Sequence, residues 1–111
     1  MKASPELLNP EPGKWVLQGQ VGFENAESLA AALDIEGVQS CSIDLQEANG
    51  GVALLLVLLS WCRQARAAQR PLRFLNASDS LLRLVVLSDL ESLLPFEQNG
   101  KPAEFKVSLD T

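Results

Sequence analysis

The chain has 111 residues, enough for one domain with a single core; 47% are hydrophobic and 21% charged, an ordinary globular composition. Its net charge of -5 and sequence pI near 4.6 argue against nucleic acid or anionic lipid as a direct ligand, because both need clustered Lys and Arg. The absence of His removes the commonest general base and metal ligand.

The N-terminal Met1-Lys2-Ala3-Ser4-Pro5 lacks the apolar core of a signal peptide. Residues 6–8 read as a short first strand. Asn9-Pro10-Glu11-Pro12-Gly13 is a strong turn signal, since proline fixes φ and glycine accepts positive φ. Residues 15–21 read as a second strand, with Trp15 and Leu17 on one face, so the two segments form an edge hairpin. A helix is expected to begin near Glu24 or Asn25, with Asn25 as N-cap and Glu27 in the first turn. Ala26, Leu29, Ala30 and Leu33 recur at helical spacing until Glu36-Gly37 ends the segment.

Residues 39–45 alternate: Cys41, Ile43 and Leu45 face one way and Ser40, Ser42 and Asp44 the other, as in a strand with one buried face. After a loop at 46–49, the main helix spans about residues 51–68 and stops before Pro71. The apolar run 52–59 is much shorter than the ~20 residues of a membrane span. Residues 72–75 form a short strand. Residues 76–80 are rich in capping types and open a third helix. Its face comprises Leu81, Leu84, Val85 and Ser88, with Leu82 and Val86 beside them, and Leu90, Leu93 and Leu94 extend the apolar pattern to Pro95. Residues 97–102 read as a polar loop. Phe105, Val107 and Leu109 alternate with polar residues, as in an edge strand or an arm. Strands alternating with helices at these lengths define an α/β layer structure with some parallel pairing.

Chemistry is scarce. Cys41 and Cys62 are far apart and form no CxxC pair, which suits two buried thiols better than a zinc or redox site. The carboxylates Glu24, Glu27, Asp34, Glu36, Asp44, Glu47, Asp79, Asp89 and Glu91 are scattered, and no His activates Ser60 or Ser78. No catalytic residue, metal ligand or cofactor is assigned. The Gly50-Gly51 pair allows close approach of another backbone or a phosphate at a helix N-terminus, but it has no Walker lysine and does not match GxGxxG. In the main helix, Leu55, Leu58, Leu59, Cys62 and Ala65 can supply an inner stripe. Ala53, Leu56 and Val57 make the first two turns apolar nearly all round, so they are either covered within the chain or exposed for another protein.

Asp44-Leu45, a short loop, and then Asn49-Gly50-Gly51-Val52-Ala53-Leu54-Leu55 resemble the signature of STAS domains, the family of bacterial anti-sigma factor antagonists. There a strand ending in Asp-Leu leads to Asp-Ser/Thr-x-Gly and an apolar helix. Val16-Leu17-Gln18-Gly19-Gln20-Val21, Leu72-Arg73-Phe74-Leu75-Asn76 and the 87–95 segment are similar to the family's flanking elements. The resemblance spans roughly residues 15–95. It implies one STAS-like α/β domain over 1–111, with a mixed sheet of about four or five strands and about three helices. Its core would lie at about 14–95, with 96–111 as an extension or edge strand. Within the family, the Gly-Gly-Val-Ala-Leu-Leu-Leu run looks most like the STAS subunit of Mla-type phospholipid ABC transporters. That subunit is a cytoplasmic, non-enzymatic protein that binds the transporter ATPase without entering the membrane. The implied docking surface centres on Asn49, Gly50, Gly51, Val52, Ala53 and Leu56, with Asn76 and Ser78 nearby. The alternative partner is a kinase-like anti-sigma factor. The sequence departs from the family in a shorter loop before Asn49, and in Asn49 itself, which stands at the family's Ser/Thr position. An amide cannot carry a phosphoswitch, so no phosphorylation site is assigned there.

Overall fold

The computed structural model describes residues 5–90, 92–98 and 101–102. The elements run β1 (Glu6–Glu11), β2 (Lys14–Gln20), α1 (Phe23–Ala32), β3 (Cys41–Asp44), β4 (Ala48–Asn49), α2 (Val52–Ala67), β5 (Leu72–Leu75), α3 (Asp79–Leu87), β6 (Phe96–Gln98) and β7 (Lys101–Pro102). The strands follow the order β1-β2-β3-β5-β6-β7, and β4 adds to β2. The outer pairs β1/β2 and β6/β7 are antiparallel, while β2, β3, β5 and β6 are parallel neighbours.

That order explains the layering. The parallel strands advance across the sheet in one direction. Three right-handed crossovers therefore place α1, α2 and α3 on the same face. The strands alternate to suit: Trp15, Ile43, Phe74 and Phe96 are in register across β2, β3, β5 and β6, and all four are buried. The Phe74 and Phe96 rings lie 5.5 Å apart and tilted, a contact worth about 1 kcal/mol beyond the area it buries. The row on the opposite face, Val16, Asp44, Leu75 and Glu97, is only half-buried.

Helix α2 lies at the centre of the helical layer. Ala53, Leu54, Leu55, Val57, Leu58, Trp61 and Ala65 are buried. It holds α1 by two side-chain hydrogen bonds. Trp61 Nε1 donates to the Leu29 carbonyl (3.1 Å) and Gln64 Nε2 to the Ala30 carbonyl (2.7 Å). Both acceptors lie in the last turn of α1, where carbonyls run out of intrahelical donors. Among the described residues, no helix is long and apolar enough to cross a membrane.

The α/β class and the three helices agree with the sequence reading, but several boundaries differ. Strand β1 continues through Asn9-Pro10 to Glu11, because an edge strand tolerates proline. The turn narrows to Pro12-Gly13, with Gly13 at φ 83°. Helix α1 begins at Phe23, and Gly22, not Asn25, is its cap. Asn25 sits one turn in, where its Oδ1 accepts from the Gly22 N–H at 2.9 Å. Helix α3 stops at Leu87 instead of following the apolar pattern to Pro95, because Asp89 turns left-handed at φ 61°. Of the segment read as a polar loop, residues 97–98 belong to β6 and residues 101–102 to β7. The sheet therefore exceeds four or five strands by short pieces only. The expected strand at Phe105, Val107 and Leu109 lies outside the described residues.

Candidate functional site

Parallel strands share one C-terminal end, and in α/β folds the loops leaving that end carry the binding groups. Here three segments converge on it: the exit of β2 into α1, the β3–β4–α2 connection, and the exit of β5 into α3. After β3 the chain makes one turn, closed by the Ala48 N–H on the Leu45 carbonyl at 3.0 Å, and resumes beside β2 as β4. The Gly19 N–H donates to the Glu47 carbonyl (3.0 Å) and the Val21 N–H to the Asn49 carbonyl (2.7 Å). These bonds carry Asn49 to the tip of β2 and leave its side chain exposed.

Gly50 then turns the chain into α2 at φ 142°. A Cβ there would meet the Val21 carbonyl oxygen at 2.7 Å, the Val21 Cβ at 3.1 Å and the Leu54 Cβ at 3.2 Å. Gly51 differs: a Cβ would meet nothing within 4 Å. The backbone approach that the glycine pair permits is thus made within the chain, at Gly50, while Gly51 faces open space. Gly51 is the N-cap of α2 and supplies no side-chain cap.

The apolar first turns of α2 divide into two groups. Ala53 is 4% exposed and faces the core, so its side chain is not available to a partner. Val52 and Leu56 are 50% and 47% exposed, and their four-residue spacing stacks them on one outer face. Phe23, 68% exposed, adds a third apolar group at the start of α1, two residues after Val21. Sequence reading did not pick out Phe23. Its only signal is an aromatic residue outside the 26/29/30/33 series.

On the neighbouring loop, Asn76 is left-handed at φ 58°. Its Nδ2 donates to Asp44 Oδ1 at 3.2 Å, and the same oxygen accepts from the Gln46 N–H at 2.9 Å. One carboxylate thereby ties the β3–β4 turn to the β5–α3 loop. Ser78 caps α3: its hydroxyl oxygen accepts from the Leu81 N–H at 3.1 Å. The structure therefore brings Asn49, Gly51, Val52 and Leu56 onto one surface, with Asn76 on the adjoining loop. Ala53 lies inside, and the Ser78 hydroxyl is engaged by α3.

Electrostatically this end is acidic. Segments 20–30, 44–56 and 75–82 contain Glu24, Glu27, Asp44, Glu47 and Asp79 and no Lys or Arg. No group of three or more His, Cys, Asp and Glu side chains suited to a metal ion occurs among the described residues. Burial raises both thiols. Cys62 is pushed up to about 11, with Arg66 partly offsetting the effect, and Cys41 is raised against the pull of Arg70. Neither is poised as a nucleophile.

No protein-family model and no curated protein matches the sequence. Solved structures do match. The anti-sigma factor antagonist SpoIIAA in its unphosphorylated form superposes with a TM-score of 0.64 at 14% identity, covering 86% of this chain and 90% of that one. An anti-sigma factor antagonist from Mycobacterium paratuberculosis gives 0.62 at 18% identity, covering 86% and 89%. At such identities the likeness establishes the fold, which is that of the STAS anti-sigma factor antagonists.

Proposed function

We propose that this chain is a non-catalytic cytoplasmic docking subunit. It would bind the ATPase of an Mla-type phospholipid ABC transporter through the surface around Asn49, Val52 and Leu56, in the manner of the transporter's STAS subunit MlaB. The observation that carries this reading is the exposure of Val52 and Leu56 on a helix whose other early residues are buried, directly after Asn49. Both side chains are already about half covered, so burying the remainder against a partner is favourable by about 1 kcal/mol each before association costs. Asn49 supports constitutive docking: its amide can donate and accept hydrogen bonds but cannot be switched by phosphate. Phe23 extends the apolar surface, and the surrounding carboxylates suit a partner face that carries Lys or Arg.

The fold of the two solved neighbours favours a second reading, an antagonist that binds an anti-sigma factor. Affinity capture with the tagged full chain, from lysate whose membranes are dissolved in mild detergent, separates the two. An ABC ATPase recovered with its permease supports the transporter, and a soluble kinase-like protein supports the antagonist. Asn49→Arg adds bulk and the first cation to this face. It should abolish capture while leaving the circular dichroism spectrum unchanged. Undiminished capture by a folded Asn49→Arg variant removes the docking surface from both readings.

A further inference from the structure

The opposite end of α2 differs in charge from the candidate docking face. Arg63 and Arg66 lie in its last turns and Arg70 just beyond, all exposed. They are three of the nine Lys and Arg residues in a chain of net charge -5. Among the described residues the ion pairs are Lys14 with Glu11 and Arg73 with Glu97, and neither involves these three. Favourable interaction with the negative end of the helix dipole accounts for a cation in the last turn; it does not require two more on either side of it. Residues 52 and 63 are separated by eleven helical steps, or about 16 Å along the axis. Both ends can therefore be occupied together.

We infer that Arg63, Arg66 and Arg70 form a second interaction surface, whose occupant is an acidic segment of another protein chain. The complement is one of charge. Guanidinium forks pair bidentately with carboxylates; Arg63 and Arg66 share one face of α2, and Arg70 follows the left-handed turn at Gln69, its Nη1 donating to the Ala68 carbonyl at 3.2 Å. A membrane fits less well. Polybasic membrane patches gather about four to eight Lys and Arg, more than the three here.

The test is titration of the isotopically labelled full chain with a synthetic hexaglutamate peptide, followed by amide chemical shifts. The titration is run at physiological salt, where diffuse attraction is screened beyond about 8 Å. Shifts confined to residues 59–70 are expected. Affinity should fall about tenfold or more in Arg63→Glu/Arg66→Glu and also in Arg63→Gln/Arg66→Gln, which keeps the stems and helix propensity. Shifts that are absent, spread over the molecule, or unchanged in both folded variants overturn the inference. So does Arg63- and Arg66-dependent flotation with phosphatidylglycerol vesicles, which assigns the surface to a membrane. Salt-sensitive self-association lost in the same variants also overturns it, by assigning the surface to a second copy.

Discussion

Gly50 holds a backbone that other residues rarely adopt, at φ 142° and against the Val21 carbonyl. Gly50→Ala should cost about 2 kcal/mol or more, read as a lower urea midpoint, because the strain of this φ adds to a contact at 2.7 Å. Gly51→Ala should cost no more than about 1 kcal/mol, since only its N-cap preference changes. Equal costs would show that Val21 does not set the loop. The sequence marks the glycine pair but cannot say which member is constrained, because the constraint comes from a strand distant in the chain. The cap at Ser78 was legible because it depends on local backbone; the placement of Asn49 at the tip of β2, the burial of Ala53 and the exposure of Phe23 depend on pairing and packing with distant residues. Cys62 gives a pH signature at the same scale. Its thiol is raised from 9.0 to about 11 in the fold, so the folded state retains a proton that the unfolded chain releases. That contribution is whole below pH 9 and is lost as pH rises through about 11. Stability measured from pH 8 to 11 should fall, and Cys62→Ala should flatten part of the slope.

At the scale of elements, helix ends were harder to read than helix centres. Helix α2 and helix α3 terminate in the same way. After α2, the Gln69 N–H reaches the Arg66 carbonyl and the Arg70 N–H the Ala65 carbonyl; after α3, Asp89 reaches Val86 and Leu90 reaches Val85. This is the Schellman pattern, with a left-handed residue at φ 58° or 61° where glycine is usual. After α2, Pro71 places the end near residue 68, within one residue of Ala67; after α3, Asp89 gives the sequence no such stop, and the continuing leucines mislead. Asp89→Gly should therefore stabilise the protein by about 0.5–1 kcal/mol, relief of the left-handed strain exceeding the entropy glycine loses on folding. A thermal midpoint raised by a few degrees checks it. A fall would show that the Asp89 carboxylate makes a contact worth more than the strain. Strand β4 was invisible for another reason: its two residues carry no period, and only their pairing with the tip of β2 makes them a strand.

Across the molecule, fold class followed from the order of strands and helices, because strands alternating with helices imply parallel pairing through right-handed crossovers. What that order does not specify is how the helices are fastened to one another. Between α1 and α2 the link is Trp61, buried and bonded to Leu29, with Gln64 bonded to Ala30. Trp61 lies three residues after Leu58 and four before Ala65, on the buried face of α2, and it is fully buried, its indole N–H meeting a carbonyl at the end of α1. Helix α1 leads from β2 and places Phe23 beside the loop that holds Asn49, so this link also sets one edge of the candidate surface. Trp61→Phe should cost about 2–4 kcal/mol, combining a lost buried hydrogen bond with lost ring volume. Amide exchange distinguishes a local role from a global one. If Trp61 and Gln64 fasten α1, then Trp61→Phe/Gln64→Ala will accelerate exchange in Phe23–Ala32 more than in β3 and β5. Uniform acceleration would mean that α1 is held by its apolar residues alone and that the two polar bonds only add to overall stability.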